Sequence, residues 1–175
     1  MLFRFMLFFL FVGGTAYAGQ YLPSTSPNAT VFELEQKPRI GQRAISSEVI
    51  TFSEYPVKTY ISDQYADKGI IFGGDNPFIS NDASNTTSPV LSGSPQFLGA
   101  IEGRFVDPST HEPTTVNRFE MDAGNFDELS STRLQWFNSS GELIAQKLDE
   151  EYAIEHFVVE HDGIASWKIE LSRNN

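Results

Sequence analysis

Phe157-Val158-Val159-Glu160-His161-Asp162-Gly163-Ile164-Ala165-Ser166-Trp167-Lys168-Ile169-Glu170-Leu171 changes face at every residue over its second half. Ala165, Trp167, Ile169 and Leu171 fall on one side, Ser166, Lys168 and Glu170 on the other. That period of two belongs to an extended strand with one wet face and one buried face. Asp162-Gly163 separates it from the apolar run Phe157–Val159, and both residues tolerate positive φ, so a tight hairpin turn is expected there. The same alternation recurs upstream. Phe119, Met121 and Ala123 are interleaved with Glu120 and Asp122, Ile101 and Phe105 with Glu102 and Arg104, and Leu134 and Trp136 with Arg133 and Gln135. Trp136 follows the inward period and is expected in the core. Asn138-Ser139-Ser140-Gly141 is expected to turn the Trp136 strand back into Glu142-Leu143-Ile144-Ala145. No window carries a convincing 3.6-residue apolar stripe; the best helical turn lies near Asp149-Glu150-Glu151-Tyr152. Short strands at intervals of about ten residues predict an all-β, antiparallel sandwich or barrel.

The 175 residues hold 12 Lys+Arg against 23 Asp+Glu, a formal charge of −11, and no cysteine. Disulfides and thiolate metal sites are thereby excluded, and the acidic balance argues against a nucleic-acid partner, whose phosphates seek Lys/Arg patches. The first eighteen residues have a different texture. Arg4 is their only charge, Phe5–Val12 is apolar throughout, Gly13-Gly14 breaks the run, and Ala16-Tyr17-Ala18 supplies a small-x-small cleavage pattern. This is the layout of a secretory signal peptide, residues 1–18, cut after Ala18. A membrane anchor would need about 20 apolar residues, so no membrane span is expected once the leader is removed. The product is expected to be secreted or periplasmic. The absence of cysteine in an exported chain leans towards a bacterial source, in which the Asn-x-Ser/Thr triplets at Asn28, Asn85 and Asn138 are chance matches. Residues 19–47, punctuated by Pro23, Pro27 and Pro38, read as an extension; its stretch Thr30-Val31-Phe32-Glu33-Leu34 could add an edge strand. Residues 48–175 form the expected domain. Within it, Gly73–Ser94 is rich in Ser, Asn, Asp and Gly around the apolar island Pro77-Phe78-Ile79 and reads as a long loop.

Catalytic machinery is sparse. His111 sits in a turn-like segment, His156 and His161 are spaced for opposite strand faces, and no His-Glu-x-x-His, Gly-x-Ser-x-Gly or cysteine nucleophile occurs. No catalytic residue is assigned and a hydrolase is the least favoured reading. Asp122-Ala123-Gly124-Asn125-Phe126-Asp127 places three oxygen-bearing side chains over six residues with a bend-permitting glycine, a composition suited to calcium, which takes six to eight oxygens. Asp122, Asn125 and Asp127, with Glu54, are the candidate ligands of a structural calcium ion. Aromatic faces outside the core would suit a sugar ring. Tyr55 and Phe78 are the aromatics in the most polar contexts, with Tyr60 and Tyr65 as further candidates.

The order of motifs also resembles a family. Ile50-Thr51-Phe52-Ser53-Glu54-Tyr55-Pro56-Val57, Gln64-Tyr65-Ala66-Asp67-Lys68-Gly69-Ile70-Ile71-Phe72, Asn76-Pro77, Ser88–Gly93, Phe105-Val106-Asp107-Pro108, Asp122–Asp127 and Gly163-Ile164-Ala165 follow one another as in exported bacterial β-sandwich domains. Those domains are often found with Pro-Glu-Pro carboxy-terminal sorting tails and are similar to galactose-binding jelly rolls. The resemblance spans about residues 48–171. It implies a jelly-roll, a carbohydrate-binding role and a structural calcium. Three departures stand out: Ser53 replaces a common acidic residue, Lys58 replaces a glycine, and no sorting tail follows Leu171. The resemblance and the loop chemistry together imply a non-catalytic binding module for a glycan or other surface polymer, contacted through Tyr55, Tyr65, Asp75, Asn76, Phe78 and Asn81. The alternative is a protein-interaction or structural module of the extracellular matrix or envelope.

Overall fold

In the computed structural model the described residues are 7–12, 48–82, 89–124, 128–152 and 154–172. They form eleven strands: β1 Leu7–Val12, β2 Glu48–Ile50, β3 Ile70–Gly74, β4 Phe78–Ser80, β5 Val90–Ser92, β6 Ile101–Phe105, β7 Val116–Gly124, β8 Thr132–Phe137, β9 Leu143–Leu148, β10 Ile154–Ile164 and β11 Ser166–Leu171. One 3-10 turn, Ala66–Lys68, is the only helix among them. A six-stranded sheet runs β10-β7-β1-β5-β4, with β2 also beside β1, and a five-stranded sheet runs β3-β6-β11-β8-β9. Every strand pairing is antiparallel. The expected all-β, antiparallel architecture is what the chain adopts.

The alternating residues explain why the sheets meet. Phe119, Met121 and Ala123 of β7 and Phe157 of β10 are buried in one cluster with Phe105, Leu134, Trp136, Trp167 and Ile169 of the other sheet. The Phe119 ring lies 5.3 Å from that of Trp167, 5.8 Å from Phe105 and 6.3 Å from Trp136. Such tilted and edge-on aromatic contacts add to the burial of apolar area that holds the two layers together. Trp167 needs room on its own sheet, and Gly103, its cross-strand partner, supplies it. A Cβ at Gly103 would sit 2.4 Å from the Trp167 Nε1.

Three local expectations are corrected. Asp162-Gly163 does not turn a hairpin. β10 continues to Ile164 in the six-stranded sheet, the register with β7 shifts between Glu160 and Ile164, and Gly163 takes φ of 80°. A glycine in the left-handed region is how a strand accommodates an extra residue as a bulge. The chain then changes sheets at Ala165, whose backbone N–H donates to the Phe137 carbonyl while its own carbonyl accepts from the Phe105 N–H. The helical turn near Asp149–Tyr152 is absent, because Asp149 is buried and its carboxylate accepts the backbone N–H of Thr132 at 2.5 Å. Gly73–Ser94 is not one loop: β3 ends inside it, and β4 and β5 pair through Phe78↔Ser92 and Ser80↔Val90. The turn at Asn138–Gly141 does form, with the Asn138 Oδ1 accepting from the N–H groups of Ser140 and Glu142.

The apolar heart of the expected leader takes part in the sheet. The backbone of β1 runs between β7 on one side and β2 and β5 on the other, with Leu10 opposite Met121 and Ile50, and Val12 opposite Phe119 and Glu48.

Candidate functional site

The outward face of the five-stranded sheet carries a groove whose shape follows from register. Phe72, Gly103, Trp167 and Trp136 form one inward row across β3, β6, β11 and β8. The neighbouring row, Ile71, Arg104, Ser166 and Phe137, must therefore face out, because successive residues of a strand alternate sides. The next outward row is Gly73, Glu102, Lys168 and Gln135. Gly73 and Ser166 are small, and no atom lies within 4 Å of where a Cβ on Gly73 would stand. A depression of about 340 Å³ results, flanked by the half-buried Ile71 and Phe137 and edged by Arg104, Glu102 and Lys168. A second depression of about 290 Å³ shares Arg104 and Ser166 and extends over Pro113, Thr114, Asn138 and Ser139. Arg104 thus stands between two lobes of one elongated surface.

The charges around the groove are differently committed. The Lys168 Nζ lies 2.7 Å from the Glu170 carboxylate and 3.6 Å from that of Glu102. Arg133 donates to the other oxygen of Glu170 at 2.5 Å. The hydrogen bond to Glu170 raises the Lys168 ammonium above the usual lysine value, more than partial burial lowers it. Burial alone would raise Glu170, but Lys168 and Arg133 outweigh it and the net direction is down. Arg104 is exposed and makes no side-chain hydrogen bond or ion pair among the described residues. In a chain with a twofold excess of carboxylates, a guanidinium with all five N–H donors open in a groove is available to an external acceptor.

The sequence-predicted residues are divided among three places. Tyr65 is 1% exposed and belongs to the core, its ring edge-on to Phe52, Tyr55 and Phe72. It has no face free for a sugar. Its hydroxyl donates to Glu54 at 3.0 Å, and burial, with the Glu54 charge, pushes it far above the usual tyrosine value. Tyr55 is half-buried against Tyr65 and donates to the Gln64 carbonyl. Asp75 is exposed but structural: its Oδ2 accepts from the Ala100 N–H, its own N–H donates to the Ala100 carbonyl, and its carbonyl accepts from the Ser94 N–H. Asn76 and Asn81 are exposed on either side of β4. Phe78 is half-buried with its ring 6.0 Å from that of Tyr60, which at 66% exposed is the most open aromatic of this end. The structure therefore brings Phe78 and Tyr60 together and leaves Tyr65 out.

Of the four candidate calcium ligands, Glu54 and Asp122 lie among the described residues. Glu54 is held by the Lys68 ammonium at 2.9 Å and by Tyr65. Burial would raise its carboxyl, but the bonds from Lys68, its own backbone and Tyr65 bring it below the usual glutamate value. The Asp122 carboxylate lies 2.5 Å from the His156 Nδ1. Asn125 and Asp127 lie outside the described residues. Among the described residues no group of three His, Cys, Asp or Glu side chains is placed to hold a metal ion.

Comparison with protein-family models, curated proteins and solved structures returned no match. Geometry therefore carries the assignment of a site. Sequence reasoning missed Arg104, Ser166 and Phe137 because each is an ordinary outward residue of its own strand. Only the cross-strand register reveals that they adjoin. The one local signal was Gly73, a glycine within a strand, which often marks a place where another surface approaches closely.

Proposed function

We propose that the chain is an exported, non-catalytic binding module for a glycan or other surface polymer, and that the groove around Arg104 is its contact surface. The observation that carries this reading is the open guanidinium set between two shallow lobes, flanked by the apolar faces of Ile71 and Phe137. A sugar ring presents C–H groups on one face and hydroxyl or carboxylate oxygens at its rim. Phe137 and Ile71 suit the first, and the planar fork of Arg104 suits the second. Two lobes in line accommodate consecutive units of a polymer better than one small molecule, which would seek an enclosed pocket. The resemblance of the motif order to exported β-sandwich domains, themselves similar to galactose-binding jelly rolls, implies the same ligand class.

The test is a polysaccharide panel, neutral and uronate-containing, probed with the wild-type protein and with Arg104→Ala. Binding by the wild type with a loss of about tenfold or more in the variant, about 1.4 kcal/mol, and an unchanged melting temperature is the expected result. Binding to no polysaccharide, or equal binding by both proteins, would remove the proposal. Structural calcium enters through Asp122, Asn125 and Asp127, and a melting temperature that neither calcium nor chelator moves would dismiss it.

A second reading, an interaction module, has its own observation. β9 is an edge strand of the five-stranded sheet and exposes Leu143 and Leu148, with Tyr152 and Ile154 also exposed beyond it. Unpaired edges with apolar side chains invite a partner strand. Concentration-dependent self-association that Leu143→Lys abolishes would favour this reading.

A further inference from the structure

We infer that the lane held by β1 changes occupant on export. Once the leader is cut behind Ala18, Ala29-Thr30-Val31-Phe32-Glu33-Leu34 of the same chain replaces Leu7–Val12 between β7 and β2/β5. This rests on the export reading above, not on the glycan reading.

The first support is the conflict between sequence and fold. Residues 7–12 have the composition of a leader core, yet their backbone forms an interior strand paired on both sides. The second is what an empty lane would cost. β7 would keep β10 but lose its second partner from Phe119 to Ala123. Among the described residues, β2 would lose its only pairing and β5 would keep β4 alone. Phe119, Met121, Ala123, Ile50 and Leu91, each at most 1% exposed, line the lane and would meet water. Two rows of orphaned backbone groups beside an apolar floor do not persist in a soluble sheet. Something must fill the lane in the processed protein.

The chain itself offers the filler. Ala29–Leu34 has the same length as β1, and its inward-period residues are Thr30, Phe32 and Leu34, with Val31 and Glu33 between them. Setting Leu34 in the place of Val12 puts Phe32 in the place of Leu10. These are the register positions opposite the buried Phe119 and Met121. Glu33 then takes the place of Phe11, opposite the outward Glu120, near the Arg118 guanidinium that Glu120 shares with Glu160. Chain direction is preserved. Val12 lies opposite Glu48 at the start of β2, so a strand ending at Leu34 must reach Glu48 across one strand spacing of about 4.8 Å. The 13 intervening residues span up to roughly 45 Å when extended, ample for that closure. A tethered segment also outcompetes a separate chain, because its effective concentration is of millimolar order.

The experiment exploits the absence of cysteine. The full chain carrying Glu33→Cys and Glu120→Cys is expressed with its leader in an exporting bacterial host, purified, and examined by intact mass and non-reducing electrophoresis. Leu34→Cys with Glu120→Cys serves as the one-residue register control. Expected are a mature mass beginning after Ala18, an intramolecular disulfide in the monomer for the first pair, and little or none for the control. Hydrogen exchange on the cysteine-free processed protein should show protected amides in Glu48–Ile50, which among the described residues pair with the lane alone, and Phe32→Asp should lower that protection at least tenfold. A retained leader would overturn both the export reading and the replacement. A processed protein with no intramolecular disulfide and unprotected β2 amides would overturn the replacement alone. Disulfide-linked dimers would also overturn it, identifying a second copy as the occupant.

Discussion

Asp149 shows how one buried carboxylate organises a corner. Its Oδ1 accepts the Thr132 N–H, its backbone N–H donates to the Thr132 carbonyl, and its carbonyl accepts from Ser130. Its Oδ2 is buried with no hydrogen-bond partner among the described residues. Burial raises its carboxyl above the usual aspartate value, and the backbone N–H groups of the corner only partly offset this. The folded state therefore binds this proton more tightly than the unfolded chain. The associated stability is full at low pH and is lost as pH rises through the raised value. Asp149→Ala should cost about 1–3 kcal/mol by stranding the Thr132 donor. Asp149→Asn keeps an acceptor without the charge, so its melting temperature relative to wild type should climb as pH increases. Glu54 has the opposite sign. Its lowered carboxyl gives stability that is present above the ordinary glutamate value and lost as pH falls through the lowered one. Glu54→Gln should accordingly flatten the acid limb of the melting profile. Gly103 is the third sensitive position: Gly103→Ala drives a methyl against the Trp167 indole, and overpacking of this kind costs about 1–3 kcal/mol by chemical denaturation.

At the scale of elements, the passage from β10 to β11 separates what a dipeptide permits from what the sheets require. Asp162-Gly163 has the chemistry of a hairpin turn, but β10 belongs beside β7 and β11 between β6 and β8. A hairpin would have forced both strands into one sheet. The glycine's positive φ instead serves a bulge, and the crossing falls at Ala165. Nothing lies within 4 Å of a Cβ at Gly163, where φ is 80°. Gly163→Ala should therefore lose only the backbone term, about 1–2 kcal/mol in urea denaturation. A larger loss would indicate packing at the bulge. The alternation along β6, β7, β8 and β11 was legible because inward residues such as Phe119, Trp136 and Ile169 are large and their neighbours are polar. β4 and β5 were not legible. They are three residues long, and in β5 every residue is buried, so neither shows an alternation that sequence could display.

At the scale of the molecule, the groove is a property of one whole sheet face rather than of any motif. Gly73 provides a direct test because its Cβ position is open space. Gly73→Leu should leave the unfolding free energy within about 0.5 kcal/mol of wild type, as surface substitutions usually do. It should also weaken polysaccharide binding by filling the depression. Unaltered binding in that variant would move the contact surface elsewhere, with the Tyr60–Phe78 pair as the next place to look.

The two-residue period, the scarcity of helix and the burial of Trp136 and Trp167 were determined by the chain's own order of apolar and polar side chains. A strand's faces are set locally by its pleat. Which strands adjoin, and therefore that Arg104, Ser166 and Phe137 share a groove, that Tyr65 is sealed inside, and that Asp162-Gly163 bulges instead of turning, was decided by tertiary structure. Cross-strand register joins residues that lie tens of positions apart, and no local pattern encodes that distance.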